Sequence, residues 1–207
     1  MALGISPTVG YAFKRLFGEP QHSRVLIHLL NSIFEHQFVV DDVEIMTPIL
    51  EKDFEDDKLS VLDLRVRDTR GRQYNLEMQT TITEGLSSRL VYYLASMYSA
   101  QLGEAESYNR LAPAISICFL DRVYFREVLS FHTRFQLCSL EHQQVFTDQL
   151  VHLLELPKYR GTATDLPQAR SVEKWAYFLR HADEMDIPEI GRLFQDPVFI
   201  EAGGFWT

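Results

Sequence analysis

Between Val61 and Gln79 the chain alternates apolar and polar residues with a period of two. Leu62, Leu64 and Val66 interleave with Asp63, Arg65 and Arg67; beyond Asp68-Thr69-Arg70-Gly71, Tyr74, Leu76 and Met78 interleave with Asn75, Glu77 and Gln79. This period predicts two half-buried strands, each with one apolar and one polar face. The intervening segment suits a type I turn closed by a left-handed glycine, a common three-residue hairpin loop. Such a loop makes Asp68 and Arg72 partners and, counting back, sets Leu64 beside Leu76, Leu62 beside Met78 and Asp63 beside Glu77. A register slipped by one residue would set Asp63 against Met78 and lose the apolar match.

Elsewhere the spacing changes. Val25-Leu26, Leu29-Leu30 and Ile33-Phe34 recur at three and four residues, a helix for which Ser23 or a neighbour is the expected cap. Residues 38–45 read as a first strand. Leu86 to Leu102 has a helix's length and spacing, closing at Gly103. Ala114 to Leu120 is a short, almost wholly apolar run, which suits a central strand covered on both faces. Ser130–Leu137 and Val145–Leu154 read as further strands, and Val172–Asp183 and Ile187–Phe194 as helices. The order predicts an α/β core.

Composition adds limits. A chain of 207 residues with 46% hydrophobic content can bury one sizeable core. No apolar run approaches the roughly 20 residues that span a bilayer, and no basic-plus-apolar leader is visible. Cys118 and Cys138 are too few for a disulfide framework. A cytoplasmic setting with no membrane partner is the simplest expectation. A formal charge of −9 argues against avid nucleic-acid binding by the molecule as a whole. Much of it sits in the acidic run 51–57, expected to be a solvated loop. Lys14-Arg15, Arg65, Arg67, Arg70 and Arg72 can still line a local positive groove.

The chemistry lies in the paired acids. Asp63 opposite Glu77, with Gln79 one step along, would place two carboxylates close enough to repel unless a proton or cation separates them. Oxygen-only ligands of this kind suit Mg2+ or Mn2+, which keep waters and use one or two carboxylates plus a substrate phosphate. The plainer alternative is a solvated ribbon in which Asp63 pairs with Arg65 or Arg67. Other candidates also have two readings. Glu44 is a metal ligand or a strand-edge ion pair; Asn31 orients a site residue or binds a loop. Arg89 touches a substrate phosphate, or pairs with Glu84 or Glu77. Tyr92, Tyr93 and Tyr98 stack on bases or pack a core. His22, His28 and His36 lack metal-ligand spacing, and Asp165 reads as loop chemistry.

Asp63 followed by Glu77-Met78-Gln79 resembles the PD-(D/E)XK nuclease superfamily, with Gln79 at the lysine position. More of the chain resembles one branch, the Rpn family of recombination-promoting nucleases, often labelled transposases. The similar segments are residues 12–18, 29–33, 43–45, 62–66 and 74–79, and then Arg89 through Tyr98 to Gln101-Leu102, in the family's order. The resemblance implies a restriction-endonuclease-like fold, a mixed central sheet flanked by helices, built as helix, three antiparallel strands, helix, strand. It implies a nuclease-like domain over 1–160 and a C-terminal helical extension over 161–207. It also implies an Mg2+-dependent DNA endonuclease, with Mn2+ an alternative ion. Asp63, Glu77 and the Met78 carbonyl would be the metal ligands, and Asp63, Glu77 and Gln79 the catalytic residues. DNA is then the partner, and a homo-oligomer would serve two-strand cleavage.

Two departures qualify that picture. The family usually has an Asp a few residues before the Phe13-Lys14 pair, where this chain has Gly10. Beyond Asp196-Pro197-Val198-Phe199 the family normally continues through more helices, whereas this sequence stops at Thr207. Three functions therefore stand: an active DNA endonuclease; a silenced nuclease-like protein that binds DNA or a homologue as a regulator; and an interaction protein without nucleic acid.

Overall fold

In the computed structural model, the described residues are 6–35, 37–46, 49–50, 60–61 and 63–205. Leu62, His36 and the acidic run 51–57 lie outside them. Helices α1 (Gly10–Phe17) and α2 (Ser23–Phe34) lead into β1 (Val43–Met46), a small pair β2 (Ile49–Leu50) and β3 (Ser60–Val61), then β4 (Leu64–Asp68) and β5 (Gln73–Gln79). Helix α3 (Leu86–Ser99), β6 (Ala114–Leu120), β7 (His132–Cys138) and β8 (Val145–Glu155) follow, with α4 (Ser171–His181), α5 (Ile187–Phe194) and α6 (Pro197–Gly204) at the end.

Six strands form one mixed sheet in the order β1-β4-β5-β6-β8-β7. β4 runs antiparallel to both its neighbours, β1 and β5; β5, β6 and β8 run parallel, and β7 returns antiparallel to β8. For the strands of this sheet, helix, three antiparallel strands, helix, strand is thus the order from α2 to β6, with the separate pair β2–β3 inserted between β1 and β4. The hairpin register is also as expected: Leu64 faces Leu76 and Val66 faces Tyr74. Gly71 takes φ +80°, and the Asp68 N–H donates to the Arg72 carbonyl at 3.0 Å. Asp68 fixes the turn from inside. Its carboxylate accepts from the Arg70 and Arg72 N–H groups (2.9 Å each), the Arg72 guanidinium (2.5 Å) and the Tyr74 hydroxyl (2.7 Å). Hydrogen bonds to a charged group contribute about 1.5–3 kcal/mol each, so this register is strongly held.

The first strand is shorter than its sequence pattern, because the Val40 N–H and carbonyl both bond the Asn31 side chain (2.8 and 2.9 Å) instead of a ladder. Helix α3 stops at Ser99, since Gln101 turns its amide onto the Ala112 backbone (2.8 and 3.0 Å). Helix α2 has no side-chain cap; a 3-10 turn, Pro20–His22, leads into it instead.

One face of the sheet carries the main core. Tyr74, Leu76 and Met78 of β5, with Ile115, Ile117 and Phe119 of β6, pack against Phe13 and Phe17 of α1, Phe34 of α2, Trp175 and Phe178 of α4, and Phe199 of α6. On the other face α3 sets Leu86 and Leu90 over Cys118, Leu120 and Leu153. This helix changes the reading of the hairpin. The polar face of β5 is not solvated: Gln73, Asn75 and Glu77 are as buried as the apolar residues behind them.

Candidate active site

The site lies where β4 begins and β5 ends. Asp63 stands at a bend just before β4, and continuing the β4–β5 register sets it opposite Glu77. Gln73 donates its N–H to Pro113 and Gln79 offers its carbonyl to the Asp121 N–H, so the odd residues of β5 turn their backbone groups toward β6. By the alternation of a strand, the Met78 carbonyl turns the other way, toward the side from which Asp63 approaches.

Each acid meets a cation from a different helix. Lys14 Nζ of α1 lies 3.1 Å from Asp63 Oδ1, and Arg89 Nη2 of α3 lies 3.6 Å from Glu77 Oε2. Asp63 does not pair with Arg65 or Arg67: Arg65 bonds Gln73 at 2.8 Å and Arg67 bonds Glu44 at 2.6 Å. Glu77 Oε1 accepts from Asn75 Nδ2 at 2.8 Å, and Gln79 Nε2 lies 3.4 Å from Oε2. Burial pushes the Glu77 carboxyl above its ordinary range and Asp63 adds to the rise; the Asn75 hydrogen bond, Arg89 and Lys14 oppose it.

Lys14 owes its place to α1. Ala12, Phe13, Leu16 and Phe17 form a fully buried stripe, leaving Lys14 on the outward side of the last turn, where a cation also suits the helix dipole. Gly18 ends the helix with its N–H on the Lys14 carbonyl (2.7 Å), and a Cβ there would lie 2.5 Å from that oxygen. Gly10 sits one turn before Lys14 on the same helix line, with open space where a side chain would begin. Position 10 therefore lies on the same side of α1 as Lys14, the partner of Asp63.

Among the described residues, no three His, Cys, Asp or Glu side chains converge as a cation site. The donor set still fits Mg2+ or Mn2+, which need only one or two carboxylates and leave other positions to water and phosphate. A buried, under-compensated carboxylate beside a second acid is also where a cation would relieve the most repulsion.

The remaining candidates take structural roles. Glu44 forms its strand-edge pair with Arg67. Asn31 binds the Val40 backbone. Tyr93 and Tyr98 pack beside Met97 and Ala114. His22 bonds the Arg15 carbonyl, His28 the Trp175 indole, and Asp165 the Thr162 N–H and hydroxyl. Of the two partners offered for Arg89, the structure gives Glu77. Sequence reasoning did not assign Lys14 to the acids, nor Asn75; Lys14 was visible only as part of a basic pair.

No described helix is long and apolar enough to cross a membrane. No curated protein and no solved structure matches the chain. A family model described as "PD-(D/E)XK nuclease family transposase" matches residues 7–203. The six-stranded mixed sheet with flanking helices agrees with that fold. With nearly the whole chain covered by that match, the protein belongs to the PD-(D/E)XK nuclease family of transposases.

Proposed function

We propose that the protein hydrolyses DNA phosphodiesters with Mg2+ or Mn2+ held by Asp63, Glu77 and the Met78 carbonyl. The observation that carries this reading is Glu77: a carboxyl almost without solvent contact, on a strand end beside a second acid, with a cation from a separate helix facing each. An ion pair kept only for stability has little reason to bury one acid next to another, since exposed pairs contribute about 0–1 kcal/mol and buried ones bear a desolvation penalty. When bound, the ion supplies Lewis-acid polarisation and a more acidic water.

The chain's own groups do the rest. Gln79, uncharged, can orient a water or phosphate oxygen through its amide. Lys14 supplies, from α1, the positive charge that a glutamine at position 79 lacks. Arg89 has two buried nitrogens, Nε and Nη2, without a hydrogen-bond partner, and a guanidinium so placed suits two-point contact with a phosphate. Cut duplex ends are what recombination acts on, which supports the recombination-promoting role. Two copies would cut the two strands.

A second reading, a nuclease-like protein that binds DNA or a homologue without cutting, has Gly10 in its favour, because the open position beside Lys14 carries no acid. Supercoiled-plasmid cleavage with Mg2+ or Mn2+ separates the two. Nicking by the parent that Glu77→Ala abolishes supports the active enzyme. Cleavage appearing only in Gly10→Asp supports the silenced one, and cleavage by neither discards the nuclease reading.

A further inference from the structure

Beneath α3 runs a strip of buried polar side chains with Asn75 at its centre. Asn75 is fully buried; its register partner on β4 is Arg65 and on β6 Ser116, which is fully buried as well. Asn75 Nδ2 donates to Glu77 Oε1 at 2.8 Å. Three buried atoms around this amide have no hydrogen-bond partner: Asn75 Oδ1, Ser116 Oγ and Arg65 Nε. One is an acceptor, and the other two carry hydrogens to donate. They belong to directly neighbouring residues on one sheet face, where side chains start roughly 5 Å apart.

We propose that Asn75 is a positioning residue for Glu77, and that Ser116 and Arg65 fix the direction of its amide. The inference rests on the reading of Glu77 as a cation ligand. A buried polar group left unmatched costs about 1–3 kcal/mol. The arrangement that satisfies all three atoms has Ser116 Oγ–H and Arg65 Nε–H directed at Asn75 Oδ1, directly or through one shared water. Arg65 is already anchored at its far end, with Nη2 donating to Gln73 Oε1 at 2.8 Å. Only one amide orientation is compatible with these neighbours. Flipped, the amide would turn its oxygen against the Glu77 carboxylate and its NH2 against Arg65 Nε–H, which can only donate. Held as it is, Asn75 occupies Oε1 and leaves Oε2, the oxygen near Gln79 and Arg89, as the one for the cation.

The test combines cation affinity with the amide itself. Mn2+ binding, followed by electron paramagnetic resonance, is expected to weaken about 10–100-fold in Asn75→Leu and about tenfold in Ser116→Ala, and to recover in Ser116→Thr, which restores the hydroxyl. Thermal unfolding run in parallel identifies variants that fail to fold; if Asn75→Leu is one, the two Ser116 variants carry the affinity test. In the cation-free protein, the Asn75 side-chain NH2 resonances, assigned by their absence from the Asn75 variant or by triple-resonance spectra, should be protected from exchange, and Ser116→Ala should remove that protection. Mn2+ affinity within twofold of the parent in folded Asn75→Leu, or in Ser116→Ala where that variant must serve, overturns the proposal. If the parent binds no Mn2+, the cation reading fails instead, and the resonances decide: an unprotected amide overturns the positioning role, and a protected one sustains it.

Discussion

Tyr74, Leu76 and Met78 on one face of β5, and Gln73, Asn75 and Glu77 on the other, are all 5% exposed or less, yet they meet opposite surroundings. The first three join rings and aliphatic chains from α1, α2 and the last helices. The second three lie among an arginine, a serine and one another, with several polar atoms unmatched. Burial alone does not distinguish a core from a site. What does is whether the buried groups would be better served by apolar neighbours, which holds for Leu76 and fails for Glu77 beside Asp63. The apolar face stabilises the sheet; the polar face holds Glu77 beside a second acid, which the proposed cation would relieve.

Substitutions that move one face and not the other break this comparison most directly. The largest expected effect is on the polar face: Glu77→Ala should lower Mg2+-dependent cleavage about a thousandfold, equivalent to several kcal/mol in the barrier, while the protein stays folded. Leu76→Ala should do the reverse. Chemical denaturation should show a loss of about 2–5 kcal/mol, with cleavage per folded molecule close to the parent's. Lys14→Gln comes next, with a fall of about 100-fold in the cleavage rate and little change in stability, because a part-exposed ion pair contributes about 0–1 kcal/mol. Gly10→Asp should tighten Mn2+ binding about tenfold by adding a third carboxylate, as calorimetry can measure.

A different polar pair sharpens the contrast, since it lies on β7 and β8, at the other end of the sheet from β4. His132 Nε2 lies 2.9 Å from His152 Nδ1, and burial lowers the two imidazoles to about 4 and about 3. The unfolded chain, with ordinary histidines near 6.5, takes up protons first as pH falls. Stability is therefore full above that value and drains between about pH 6.5 and 3, by up to about 1.4 kcal/mol per pH unit per histidine. His152→Gln should flatten this acid limb of the unfolding curve while leaving Mn2+ affinity unchanged.

The hairpin register was legible because two local signals agree: the period of two, and a turn that needs a left-handed glycine at Gly71. The central strand Ala114–Leu120 was legible from its apolar run, interrupted only by Ser116, which matches the observed strand at both ends. The burial of the polar face was not. Alternating Gln73, Asn75 and Glu77 looks the same under a helix as under water, and α3 itself buries only Leu86, Leu90 and Met97. Lys14 reaches Asp63 from a helix far away in sequence, and no local pattern encodes that distance. Helix α6 was hidden for another reason: Gly203 and Gly204 close a short segment that propensity reads as a breaker.

The central claim is that the polar face of β5 is a cation site and not a buried structural network. Isothermal titration of Mg2+ and Mn2+ into the parent, Glu77→Gln and Asp63→Asn tests it most directly. The account predicts saturable binding to the parent that is lost in both variants, with Glu77→Gln no less heat-stable than the parent, since it removes a buried charge. Equal binding by all three proteins, or none by the parent at millimolar ion, would contradict it.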